Sequence, residues 1–124
     1  MTTDRRQLIE QFAEAWGSRD VDAVMALMTA DCSFSQSVGP EPGHSYVGAD
    51  AVRQGVESFL TGPPDSTVTT RIVATLIADH FAVVRWESTQ VGADGRAVET
   101  KACDVFEFDG DRVKSKDTYR KVQS

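Results

Sequence analysis

The chain has 124 residues, 40% hydrophobic and 26% charged, with a formal net charge of -6. That is the size and make-up of one globular domain able to bury its own core. The acidic balance excludes nucleic acid and an anionic membrane surface as expected partners, because both want a basic surface.

No run approaches the roughly 18 apolar residues of a membrane span. No apolar stretch of the signal-peptide kind follows Met1-Thr2-Thr3-Asp4-Arg5-Arg6. A cytoplasmic protein is therefore expected. The two cysteines, Cys32 and Cys103, have neither C-x-x-C nor Cys/His zinc spacing. They are expected to be ordinary buried thiols.

In chain order, residues 4–16 carry Leu8, Ile9, Phe12, Ala13 and Trp16 as one apolar stripe at helical spacing. Asp4 suits the start of that helix and Gly17 its stop. Asp20 suits the cap of a second helix, with Val21, Val24, Met25 and Met28 on one face. Cys32-Ser33-Phe34-Ser35-Gln36 alternates as a short strand. Residues 39–48 hold three glycines and two prolines and read as a loop. Asp50 to Leu60 reads as a third helix through Val52, Val56 and Phe59, stopped by Gly62-Pro63-Pro64.

The period then changes to two. Val68 to Ala78, Phe81 to Val91, Ala97 to Phe108 and Arg112 to Val122 read as four strands. Turns fall at Asp79-His80, Gly92 to Gly95 and Asp109-Gly110-Asp111. Helices first and an antiparallel meander after them predict an α+β fold, with three helices packed on a curved sheet as one domain over residues 1–124.

The last hairpin carries the candidate chemistry. On Ala97 to Phe108 the even positions Ala102, Phe106 and Phe108 are apolar, while the odd ones include Glu99, Lys101 and Glu107. Alternation turns the even set inward, and Asp104 with it. On the final strand the even positions are Arg112, Lys114, Lys116, Thr118 and Arg120, so Val113, Ser115, Asp117 and Tyr119 read as the inward set. With Gly110-Asp111 as a two-residue loop, Asp104 faces Asp117; a one-step shift of the turn makes them diagonal neighbours. Either way two carboxylates share an inward face, roughly 5–8 Å apart at their β-carbons. Two such charges repel, so one is expected to hold a proton, which suits general acid/base chemistry. An inward aspartate also serves as a plain structural hydrogen-bond partner, and Arg85 and Tyr119 are available for that.

Gln36 is in phase with Cys32 and Phe34 and reads as inward, either donating to a ligand carbonyl or satisfying the core. His44 lies in the glycine/proline loop, at the expected pocket mouth, and His80 in a turn, where a solvated residue is expected. Phe12, Trp16, Phe34, Phe59, Trp86, Phe106 and Tyr119 form either plain core or the wall of an apolar ligand site. No Gly-rich phosphate loop, Ser-His-Asp order or metal-ligand cluster is present, so neither cofactor nor metal is implied. Val68 to Ala78 is apolar on both parities, and the outer sheet face is expected to be buried in a homodimer.

Four stretches then stand out together: Phe12-Ala13-Glu14-Ala15-Trp16, residues 19–28, residues 47–53 and residues 106–113. In order and content they resemble the nuclear transport factor 2-like superfamily over nearly the whole chain. The resemblance implies a cone-shaped, strongly curved, mostly antiparallel sheet whose three N-terminal helices enclose a pocket. It implies no single activity, since the fold hosts isomerases, cyclases, dehydratases, epoxide hydrolases and non-enzymatic binders.

Two branches resemble it most. SnoaL-like polyketide cyclases place an acid/base aspartate seven residues after the glycine of the last hairpin, and Gly110 and Asp117 are similar. Steroid ketoisomerases use a protonated aspartate as an oxyanion donor, similar to Asp104 in Cys103-Asp104-Val105-Phe106, and have a loop resembling Val38-Gly39-Pro40-Glu41-Pro42. Gln36 stands at their base position and Phe12 at their tyrosine position, and neither side chain does those jobs. Epoxide hydrolases of the fold pair an aspartate near Asp117 with an Arg-x-Asp, of which Arg85-Trp86-Glu87 is a loose echo. The resemblance thus implies cofactor-free acid/base catalysis, isomerisation, cyclisation or related, on a small apolar, carbonyl-bearing or polycyclic ligand. Asp117 would move the proton, Asp104 would donate to an enolate oxygen, and Gln36 and Tyr119 would position the substrate. The alternative is a non-catalytic ligand-binding or protein-interaction domain.

Overall fold

The computed structural model describes residues 4–37, 44–61, 67–92 and 94–121. The loop Val38-Gly39-Pro40-Glu41-Pro42 and the Gly62-Pro63-Pro64 stop lie outside the described residues. Helix α1 (Arg5–Gly17) starts where the Asp4 side chain accepts from the Arg6 amide at 3.0 Å. It buries Leu8, Ile9, Phe12 and Ala15 along its predicted stripe. Its ending differs from the expected glycine stop. Arg19 takes a left-handed φ of 57°, and the Asp20 amide reaches back to the Ala15 carbonyl at 3.0 Å. This is the helix ending usually given to glycine.

Helix α2 (Val21–Ala26) is capped by Asp20 on the Ala23 amide at 3.1 Å. It is shorter than expected, because Met28 already belongs to strand β1 (Met28–Ser35). Strand β2 (Ser45–Val47) lies inside the stretch read as loop. Glycine and proline on either side hid it; its stability comes from across the sheet. Tyr46 stands opposite Phe34, and the two rings stack with centroids 6.0 Å apart. Gly48, at φ 90°, then leads into helix α3 (Ala49–Leu60), a backbone turn that favours glycine.

Strands β3 (Thr67–Ile77), β4 (Phe81–Val91), β5 (Ala97–Asp109) and β6 (Arg112–Arg120) form the expected antiparallel meander. The sheet order is β2-β1-β6-β5-β4-β3, with β1 parallel to β6 and the other pairs antiparallel. The α+β architecture is therefore as predicted. Leu8, Phe12, Val24, Val52 and Val56 from the helices meet Cys32, Phe34, Val84, Phe106 and Val113 from one sheet face in a single core. Burying each of the larger ones contributes about 1.5–3 kcal/mol.

Bulges interrupt three ladders: in β1 between Met28 and Ser33, in β3 at Val73, and in β6 at Lys114. The β3 and β6 bulges each add one residue to their strand, and beyond such a residue odd and even positions exchange faces. In β6 this overturns the predicted face assignment. Val113, opposite Phe108, is buried as expected. After Lys114 the residue opposite Phe106 is Lys116, and the residue opposite Asp104 is Thr118. Asp117 stands opposite Val105 and Tyr119 opposite Cys103, on the other face of the sheet. Gly110-Asp111 is the expected two-residue loop, yet Asp104 and Asp117 do not share a face.

Candidate functional site

The polar centre of the helix-covered face is Asp104, Lys116 and Thr118. Asp104 and Lys116 are 9% and 7% exposed, the two charged residues in the described core. Lys116 Nζ lies 3.4 Å from Asp104 Oδ1 and donates to Thr118 Oγ1 at 3.0 Å. The Thr118 hydroxyl in turn donates to Asp104 Oδ1 at 2.6 Å. The three side chains close a ring of hydrogen bonds on two adjacent strands.

Aromatic rings surround the amine. Nζ sits 4.3 Å from the centroid of Trp16 and 5.1 Å from that of Phe34, within cation–π range. Trp16 packs on Phe12, Phe34 and Phe59 at 5.9, 5.7 and 5.4 Å, and Phe12 meets Phe106 edge-on at 5.3 Å. Five residues chosen from sequence, Phe12, Trp16, Phe34, Phe59 and Phe106, thus form one ring cluster; Trp16 and Phe34 flank the lysine, and Phe59 lies at the exposed rim. Burial pulls the Lys116 ammonium below the usual lysine range; the Asp104 carboxylate beside it acts the other way without offsetting this.

The remaining candidates fall elsewhere. Asp117 is half-buried on the opposite face, where its carboxylate accepts from the Tyr119 hydroxyl at 3.0 Å. Tyr119 itself is 58% exposed. Trp86 shares the Asp104 face but stands opposite Ala102, and among the described residues it makes no ring pair with the cluster. Gln36 is half-buried just beyond β1, its backbone N–H donating to the His44 carbonyl at 2.9 Å, and His44 is exposed. Among the described residues no group of His, Cys, Asp and Glu is placed to hold a metal. Two surface clefts lie away from this centre. One of about 650 Å³ is bordered by Arg19, Asp22, Arg53 and Glu57, and one of about 430 Å³ by His80, Phe81, Val105 and Lys114. In the first, Arg53 is paired with Asp22 at 2.8 Å and with Glu57 at 3.8 Å.

Sequence reasoning missed Lys116, Thr118 and Tyr46. Lys116 sat in the run of charged even positions opposite to the set read as inward, and nothing local marks the bulge that turns it inward.

The SnoaL-like domain family matches residues 9–116. The chain belongs to the SnoaL-like family. This SnoaL-like domain resembles an NTF2-like protein of unknown function from Mesorhizobium loti, with a TM-score of 0.75 at 21% identity over 98% of each chain. SalBIII, an epoxide hydrolase/cyclase-like enzyme in pyran ring formation in the polyether salinomycin, gives 0.75 at 18% identity over 95% of this chain and 91% of its own. A candidate polyketide cyclase from Xanthomonas campestris pv. campestris gives 0.72 at 17% identity over 92% of this chain and 87% of its own. No curated protein matches the chain. At these identities the solved structures establish the nuclear transport factor 2-like fold and no activity.

Proposed function

We propose that this SnoaL-like domain is a small-molecule enzyme that moves a proton on an apolar, carbonyl-bearing substrate, with Asp104 and Lys116 as the acid/base pair. The observation that carries this is the ring of buried Asp104 and Lys116 with half-buried Thr118, flanked by Trp16 and Phe34. A carboxylate and an amine in a dry site exchange a proton at little cost, and each is then able to take or give one to a bound molecule. The ring wall suits an apolar ligand, and a candidate polyketide cyclase is among the solved structures that share the fold.

The test is hydrogen–deuterium exchange at the α-carbon of cyclic ketones, followed by NMR in D₂O. Wild-type protein is expected to accelerate exchange, and Asp104→Asn to reduce the gain by about 100-fold or more. Loss of exchange in Asp117→Asn with Asp104→Asn unaffected would move the chemistry to the other sheet face and end this reading. The rival is a non-catalytic binding domain, favoured by one observation: the Lys116 chain itself fills the space between the rings. Ketone binding without any exchange supports that rival.

A further inference from the structure

We infer that the Lys116 amine is a nucleophile that takes an apolar aldehyde or ketone as a covalent imine, with Asp104 as its proton partner. This deepens the proposed acid/base function and rests on it for the carbonyl-bearing substrate.

An ordinary lysine is well under about 1% free amine at pH 7, and an ammonium has no lone pair to attack with. Desolvation in an apolar pocket is one of the ways proteins free such an amine. Lys116 is desolvated by burial, 7% exposed and flanked by the rings of Trp16 and Phe34. Its proton also has somewhere to go. Asp104 Oδ1 is 3.4 Å away, and the Thr118 hydroxyl bridges the two at 3.0 and 2.6 Å. Lys101, Lys114 and Lys121 are exposed. They lack an apolar enclosure of this kind, so the chain carries its own internal controls.

Proton transfer within the pair turns ammonium and carboxylate into amine and carboxylic acid. The Nζ lone pair bonds to the carbonyl carbon while the carbonyl oxygen takes the Asp104 proton. The nitrogen returns a proton to the Asp104 carboxylate, which passes it to the new hydroxyl. Water leaves as the C=N bond forms. The C=O bond and two N–H bonds are exchanged for C=N and water, with no oxidant or reductant needed. The iminium keeps its positive charge where the ammonium had it, between the rings and beside the Asp104 carboxylate. It also acidifies the α-carbon, whose proton Asp104 then takes.

The test uses the whole chain at pH 7 with benzaldehyde or cyclohexanone, followed by sodium borohydride, which reduces an imine to a stable secondary amine. Intact mass and peptide mapping locate the adduct. One adduct per chain at Lys116 is expected, formed at least about tenfold faster than at the exposed lysines. Lys116→Arg and Lys116→Met, checked for folding by circular dichroism, lose it; the wild-type map alone places it if neither variant folds. No adduct, or adducts spread evenly over the exposed lysines, overturns the inference. Cyclohexanone exchange measured on the same samples separates the two readings. Asp104-dependent exchange by the wild-type protein with no borohydride-trapped adduct overturns the imine and leaves acid/base chemistry standing. An adduct at Lys116 with no Asp104-dependent exchange does the reverse.

Discussion

A lysine and an aspartate 3.4 Å apart with little water around them depend on each other for their charge. Removing one partner leaves the other buried and uncompensated. Asp104→Leu is expected to cost about 3–5 kcal/mol in urea unfolding. Asp104→Leu combined with Lys116→Met removes both charges, and should be close to neutral or more stable by about 1–4 kcal/mol. A double variant as damaged as the single one would show that the two charges are not coupled. The pH dependence has a definite sign. Because burial lowers the Lys116 value in the folded state, the unfolded chain holds a proton that the folded chain lacks between that lowered value and about 10.4. Lys116 therefore makes stability rise with pH across that window, a slope that Lys116→Met removes. Unfolding free energies measured from neutral to alkaline pH for the two proteins would show it.

Arg19 offers a smaller test of the same local kind. Its left-handed φ of 57° costs an L-residue about 1–2 kcal/mol, and glycine avoids that cost while losing more freedom on folding. Arg19→Gly should gain at most about 1 kcal/mol, read from the unfolding midpoint.

Among the elements, α3 and β2 are joined through an absent side chain. A Cβ at Gly55 would lie 2.6 Å from Tyr46 Cδ2 and 2.9 Å from its Cγ. Alanine in a helix interior normally gains about 1 kcal/mol over glycine. Here the ring that stacks on Phe34 would have to move, and overpacking of that sort costs about 1–3 kcal/mol. Gly55→Ala is thus expected to be destabilising on balance, with Tyr46→Ala in the same chain restoring the helical gain. An unfolding curve in which Gly55→Ala is the more stable protein would mean that β2 yields easily. The helix stripes and strand alternation were legible in the sequence because both are set by near neighbours. β2 and the Lys114 bulge were not, because each is held by contacts across the sheet.

For the molecule as a whole, the sheet face away from the helices carries an apolar row among charged residues such as Arg71, Glu87 and Lys101. Leu76, Val83 and Val105 stand in a row across β3, β4 and β5, with Leu76 72% and Phe81 51% exposed. Exposed apolar surface of this kind marks contact sites. A homodimer through this face is our proposal, at the usual scale of about 800 Å² per partner. Sedimentation at micromolar concentration should give a dimer that Leu76→Glu with Phe81→Glu converts to monomer; a monomeric wild type would contradict it.

Residue order alone determined the α+β architecture, the four-stranded meander and the inward face of β5, since periods of 3.6 and 2 are written locally; of the aromatic set it picked out five that cluster, while Trp86 and Tyr119 fall elsewhere. It also placed Asp104 correctly. What stands beside Asp104 was decided only in three dimensions. One extra residue at position 114 turns Lys116 and Thr118 inward and Asp117 outward. The cost of that extra residue is offset by partners far away in the chain, Trp16 and Phe34 around the amine and Asp104 beside it.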